Sequence, residues 1–211
     1  MLQVIDDRSP EAAIRLRPLP RALFERLCRW GDVDTAALEL MCGAVIDRRD
    51  DDPERARVVA QVAARLRAQA GPAGRVAVRA PWAIDDFSMP RPDVRVAATG
   101  GHCELGVRTT PLVVEVTRGD GGERGATRRD LYARAPLAEY WRVDLDAAVI
   151  EAWRGPDPRF GAWGTVTRYR HGEAAIHATR PALALTVDEI VPRRQGSPRL
   201  RSRPGAATPS R

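Results

Sequence analysis

Lysine is missing from this chain of 211 residues, and all 34 of its basic residues are arginine. An arginine-only site keeps positive charge but has no amine to take up a proton near neutral pH. Cysteine is scarce. Cys28, Cys42 and Cys103 are odd in number and form no CxxC pair, which argues against a disulfide framework or a zinc site and predicts reduced thiols in the cytoplasm. The histidines, His102, His171 and His177, show no metal-ligand spacing. No apolar run approaches the roughly 20 residues that a spanning helix needs, so no membrane association is expected. The opening residues, Met1 to Asp7, are acidic and carry no signal-peptide pattern.

What is present describes a globular chain: 44% of residues are hydrophobic, enough for a sizeable core. The net charge of +6 is carried by the end of the chain, where Arg193, Arg194, Arg199, Arg201, Arg203 and Arg211 stand without any acid. Residues 1–192 are thereby balanced, so the basic excess is no sign of a basic face on the core. The expected organisation is a loose extension (1–18), one domain (19–192) and a disordered basic tail (193–211) that adds weak nucleic-acid affinity or is simply solvated.

Pattern predicts a mixed α/β fold, a central sheet flanked by helices, rather than a strict βαβ repeat. Pro20 in the first turn and Leu23, Leu27 and Trp30 at 4 and 3 spacing predict a helix over 20–30. Residues 37–47 read as two short strands folded at Gly43. Asp52 and Pro53 cap and open a helix whose stripe is Val58, Val59, Val62 and Leu66. Strands are expected at about 75–84, 92–98, 111–117, 139–144, 147–153 and 164–170, with shorter ones at 174–178 and 182–186. A polar helix is expected at 123–134.

One strand stands apart. Pro111–Thr117 is apolar on both faces except for Glu115 at its centre. Apolar side chains on both faces mark a central strand, and an unpaired carboxylate there costs several kcal/mol. Asp93, on the preceding strand, is the natural companion. Neighbouring strands lie about 5 Å apart, so two inward carboxylates can share a hard cation, Mg²⁺ or Mn²⁺. Glu39, between Leu38 and Leu40, is a third acid in apolar surroundings. The bland alternative is that each acid pairs with one of the many arginines.

These segments carry a resemblance. Leu38-Glu39-Leu40-Met41-Cys42-Gly43-Ala44-Val45, Arg91-Pro92-Asp93-Val94, Pro111-Leu112-Val113-Val114-Glu115-Val116 and Leu131 to Asp144 resemble, in order, four signature stretches of the Uma-type family of restriction endonucleases, within the PD-(D/E)XK nuclease superfamily. The resemblance implies a restriction-endonuclease-like fold, hydrolysis of DNA phosphodiesters with Mg²⁺ or Mn²⁺, and a site of Glu39, Asp93 and Glu115 with Asp93 and Glu115 as metal ligands. A homodimer is implied only by analogy. Three departures bear on activity. The superfamily places Lys two residues after the Glu, where this chain has Thr117. Relatives carry a Lys where this chain has Arg128, and a His at the start of the second helix where it has Arg55 and Arg57. Arg128 keeps the charge and binds phosphate bidentately. Two readings stay open: an endonuclease in which Arg128 suffices, or a nuclease-like fold without catalysis that binds nucleic acid or a partner.

Overall fold

The computed structural model describes residues 17–30, 35–48, 52–72, 74–98, 110–119 and 121–191. Most of the expected N-terminal extension, the Gly100-Gly101 loop with His102 and Cys103, and the arginine tail lie outside them. Among the described residues no helix is long and apolar enough to cross a membrane.

The chain runs α1 (Arg21–Arg29), β1 (Leu38–Met41), β2 (Ala44–Asp47), α2 (Pro53–Ala70), β3 (Gly74–Val78), β4 (Val94–Ala98), β5 (Thr110–Thr117), α3 (Gly122–Arg134), β6 (Leu137–Asp144), β7 (Val149–Asp157), β8 (Ala162–Tyr169), β9 (Ala174–Ile176), β10 (Ala184–Thr186) and α4 (Val187–Ile190). Strands β3 to β8 form one sheet in sequence order. Only β5 and β6 pair in parallel, and α3 is the crossover between them. A parallel neighbour cannot follow through a tight turn, so a helix must carry the chain back. The mixed α/β architecture expected from the pattern is the one observed.

Helix α2 covers one face of the sheet and α3 the other. The Asp52 carboxylate accepts from the backbone N–H of Glu54 and Arg55, and Pro53 opens the helix. Val58, Val59, Val62 and Leu66 then pack on Leu112, Val114, Val116 and Trp141. On the other face Tyr132 and Ala135 meet Val113, Leu137 and Tyr140. Because side chains alternate along a strand, β5 sends its even positions to α2 and its odd ones, Val113 and Glu115, to α3. Glu115 is thus buried beneath α3.

The β1–β2 hairpin closes through Cys42 (φ 51°) and Gly43 (φ 81°). Two positive φ values give a turn whose twist suits a hairpin. A Cβ on Gly43 would sit 2.3 Å from Cβ of Pro18, so glycine is required twice over.

The helix expected over 20–30 is α1, and its residues at 4 and 3 spacing face outward: Trp30 is 79% exposed and Leu23 46%, while Phe24 is the residue buried. Two expectations are corrected. The strand expected over 75–84 ends at Val78, because Arg79 turns the chain with φ 48°. Asp93 precedes β4 rather than lying in it, since the backbone of Pro92 and Asp93 is drawn off to receive the Arg79 N–H.

Candidate active site

The β4–β5 register pairs Val94 with Val114, and one step further sets Asp93 beside Glu115. The hairpin brings Glu39 to the same place: Leu40 bridges to Met89, and a Glu39 carboxylate oxygen accepts the Arg91 N–H at 3.1 Å. All three acids are buried, none more than 1% exposed. The three expected acids therefore do converge.

They do not converge on one point. Arginines alternate with them in a chain: Glu39, Arg128, Glu115, Arg48, Asp93, Arg55. Arg128 makes a two-pronged pair with Glu39 and lies 3.3 Å from Glu115. Nη2 of Arg48 is 2.6 Å from Glu115 and 3.1 Å from Asp93. Nη2 of Arg55 is 2.6 Å from Asp93, and its Nε donates to the Val116 carbonyl. Tyr132 completes the cluster by donating its hydroxyl to Glu115 at 2.7 Å. Arg79, more exposed, adds its Nε 3.6 Å from the other Asp93 oxygen, so each of the three carboxylates is paired with guanidinium charge, which makes their burial tolerable.

The charge states of Asp93, Glu115 and Arg128 depend on their neighbours. Burial and the neighbouring Glu115 push the Asp93 carboxyl up to about 6, against the pull of Arg48 and Arg55. Burial also works to raise Glu115, but Arg48, Arg128 and the Tyr132 hydroxyl outweigh it and hold the carboxyl down at about 2. The two act oppositely on stability. The Asp93 contribution is present below its ordinary 3.8 and is lost as pH rises through about 6. The Glu115 contribution is present above its ordinary 4.5 and is lost as pH falls through about 2. Burial opposes the charge of Arg128, yet Glu115 and Glu39 drive its pKa further up, so it holds its proton. Tyr132 is pushed up by burial and by Glu115, and acts only as a donor.

A divalent cation is tested by the oxygens it would meet. Oδ2 of Asp93 accepts from Val116 N–H and Arg55, but Oδ1 is buried with no hydrogen-bond partner. Nε of Arg79 stands 3.6 Å from it, too long for a hydrogen bond, and a carboxylate oxygen so placed beside a second carboxylate suits a hard cation. Asp93 and Glu115 fit the group, provided Arg48 yields the position between them. Glu39 is separated by Arg128, and among the described residues no three His, Cys, Asp or Glu side chains are gathered to hold a metal ion.

Sequence reasoning missed Arg48 and Tyr132 as parts of the cluster. Tyr132 had a signal: it follows Arg128 by four residues, hence shares its helix face. Arg48 had none, standing beside Arg49 at a strand end like a solvated pair. Of the two arginines considered in place of a histidine, Arg55 enters the site, while Arg57 is exposed and bonds Gln61. His177, buried between the Pro111 carbonyl and the N–H groups of Thr179 and Arg180, is structural, and His171 pairs with Asp188 at the surface.

Solved structures agree with the architecture. The chain superposes on the crystal structure of "a putative nuclease belonging to DUF820" from Anabaena variabilis with a TM-score of 0.62 and 14% identity, covering 80% of this chain and 96% of that one. At that identity the likeness speaks for the fold alone. No curated protein matches the chain. A family model described as "Putative restriction endonuclease" matches residues 21–188, which span the hairpin, the whole sheet and every residue of the acid–arginine cluster, and the chain belongs to that family, Uma2.

Proposed function

We propose that this protein is an endonuclease that cleaves DNA phosphodiester bonds with Mg²⁺ or Mn²⁺ held by Asp93 and Glu115. The observation that carries this reading is the buried Oδ1 of Asp93, which has no hydrogen-bond partner and lies beside the Glu115 carboxylate. When bound, the cation supplies a lowered pKa for water and charge stabilisation on phosphate oxygens. This chain's residues do the rest. Glu115 is held in place by Tyr132 and Arg128. Arg128 offers a guanidinium to the phosphate, and Glu39 orients Arg128 through its two-pronged pair. Arg48, released from Asp93 and Glu115, becomes a second phosphate donor. The unit that acts is residues 19–192, in the cytoplasm, with the arginine tail adding salt-dependent affinity for DNA.

The test is incubation of the purified protein with plasmid DNA and Mg²⁺ or Mn²⁺ beside a Glu115→Ala variant. Nicking by the wild type alone is expected. Equal cleavage by both, or none by either, sinks catalysis. A second reading is favoured by one specific observation, that a guanidinium rather than an open position bridges the two acids. On it the fold binds DNA without cutting, and DNA retention with no cleavage in either protein is its signature.

A homodimer belongs to the same proposal. Leu23, Leu27 and Trp30 form an outward apolar stripe on α1, with Phe87 exposed nearby. Sedimentation at micromolar concentration is expected to give the mass of two copies, reduced to one by Leu23→Arg together with Trp30→Arg. A wild-type monomer rules the dimer out.

A further inference from the structure

The charged row does not stop at Glu115. In the sheet register Glu115 pairs with Arg142, Arg142 with Glu151 and Glu151 with Arg168. Acid and base alternate across β5, β6, β7 and β8 on the face that α3 covers. Between α3 and the far end of this row lies a cavity of about 200 Å³, lined by Gly125, Arg129, Tyr140, Arg142, Trp153 and Arg168 and floored by Glu151. That is smaller than the roughly 300–1,000 Å³ of pockets for drug-sized ligands.

Its wall is rich in hydrogen-bond donors. Glu151 is the acid there, and its oxygens are already engaged: Arg142 takes Oε2 through Nε and Nη2, and Arg168 takes Oε1. Arg129 pairs with Asp130, so three guanidinium groups stand against two carboxylates and the wall is still net positive. The Tyr140 ring is buried, and its hydroxyl, which makes no hydrogen bond among the described residues, lines the cavity rather than being enclosed. The indole N–H of Trp153 is buried and likewise unpartnered. A buried donor without an acceptor is costly, and Trp153 leaves one in this wall beside the Tyr140 hydroxyl. Burial and the carboxylate of Glu115 push the Tyr140 phenol up, so it keeps its proton and can only gain by donating to an anion. Small residues in the first turns of α3, Gly122, Gly125 and Ala126, leave the cavity open on the helix side.

We propose that this cavity is a phosphate-binding site that takes a backbone phosphodiester of DNA beside the acid cluster. It rests on the DNA-binding part of the reading above, not on cleavage. The spacing suits the assignment. The cavity lies about two strands, roughly 10 Å, from Glu115. Successive phosphates of one DNA strand rise about 3.4 Å along the helix axis and also wind around it, so they stand farther apart in space than that rise. The cavity thus holds a phosphate one or two positions from the one at Asp93 and Glu115, and fixes the register of the strand across the sheet.

The test uses the full chain in EDTA, so that no metal contributes. Binding of a short labelled duplex is measured by fluorescence anisotropy for the wild type, Tyr140→Phe and Arg168→Ala, with inorganic phosphate as competitor. Tyr140→Phe removes a hydroxyl that bonds to nothing in the free protein, so its melting temperature is expected to match or exceed that of the wild type. Its affinity for the duplex is expected to fall roughly tenfold or more, the worth of a hydrogen bond to a charged group. Arg168→Ala is expected to weaken binding and to reduce the salt slope by about one. Unchanged duplex affinity in both variants overturns the proposal. Phosphate competition that is lost in Tyr140→Phe while duplex affinity stays the same overturns it too, since the site then takes free phosphate. Weakened binding without any cleavage by the wild type in Mg²⁺ or Mn²⁺ supports this site while removing the catalytic reading.

Discussion

Replacing Arg48 by Met is expected to destabilise the metal-free protein by about 3 kcal/mol, and Mn²⁺ is expected to return most of that loss. Nη2 of Arg48 lies between Glu115 at 2.6 Å and Asp93 at 3.1 Å, both carboxylates being buried. Removing one partner of a buried pair typically costs 3–5 kcal/mol, because the remaining charge stays buried and uncompensated. The lower end applies here. One side of Arg48 reaches solvent, Arg55 stays on Asp93, and Arg128 stays near Glu115. For a domain of this size about 3 kcal/mol corresponds to roughly 6–12 °C in melting temperature. The same change opens the position between the two acids. A cation that binds only the folded state stabilises it by mass action, so Mn²⁺ is expected to raise the melting temperature of Arg48→Met more than that of the wild type. Paired melts in EDTA and in Mn²⁺ read both effects. A variant that melts like the wild type in EDTA and is unmoved by Mn²⁺ shows that Arg48 does not stand where a cation would.

Arg48 also marks the limit of what could be read from residues alone. Glu115 was legible because one carboxylate in an apolar β-strand is costly and has few explanations. Asp93 was legible as its companion through strand order, although its position just before β4 was not, since Arg79 and its positive φ leave no mark in a pattern of apolar residues. Helix α2 was legible to the residue, because a capping Asp52, a first-turn Pro53 and a stripe at helical spacing agree. The α1 stripe shows the converse: Leu23, Leu27 and Trp30 have the spacing of a buried face yet point outward, because Phe24 alone anchors the helix. What could not be read was which arginine meets which acid. With 34 arginines and no lysine, every carboxylate has many candidate partners at similar sequence cost. The choice is made by three-dimensional proximity, here by a hairpin end folding over β5.

Thr117→Lys is expected to raise the single-turnover cleavage rate by about a hundredfold or more, while Thr117→Arg is not. Thr117 follows Glu115 by two residues on β5, so it shares the face beneath α3 at a distance of roughly 7 Å. Its hydroxyl is spent on the Gly119 carbonyl and it is half-buried, so a longer side chain loses one local bond and reaches toward the carboxylates. In the native chain the basic groups of the cluster are all arginine. Arg48 and Arg128 are both driven further from deprotonation by Glu115. They stabilise charge on a phosphate but take no proton from attacking water. A lysine amine among buried charges can lose its proton, and a positioned proton-transfer group contributes typically 10²–10⁴ in rate. The arginine variant supplies the same charge and nearly the same reach without that capacity, which separates proton transfer from electrostatics. Plasmid cleavage in Mg²⁺ under enzyme excess is the measurement. Equal gains in both variants mean the site wants charge alone. A gain in neither means Arg128 already supplies what the reaction needs, or that the cluster serves binding rather than turnover.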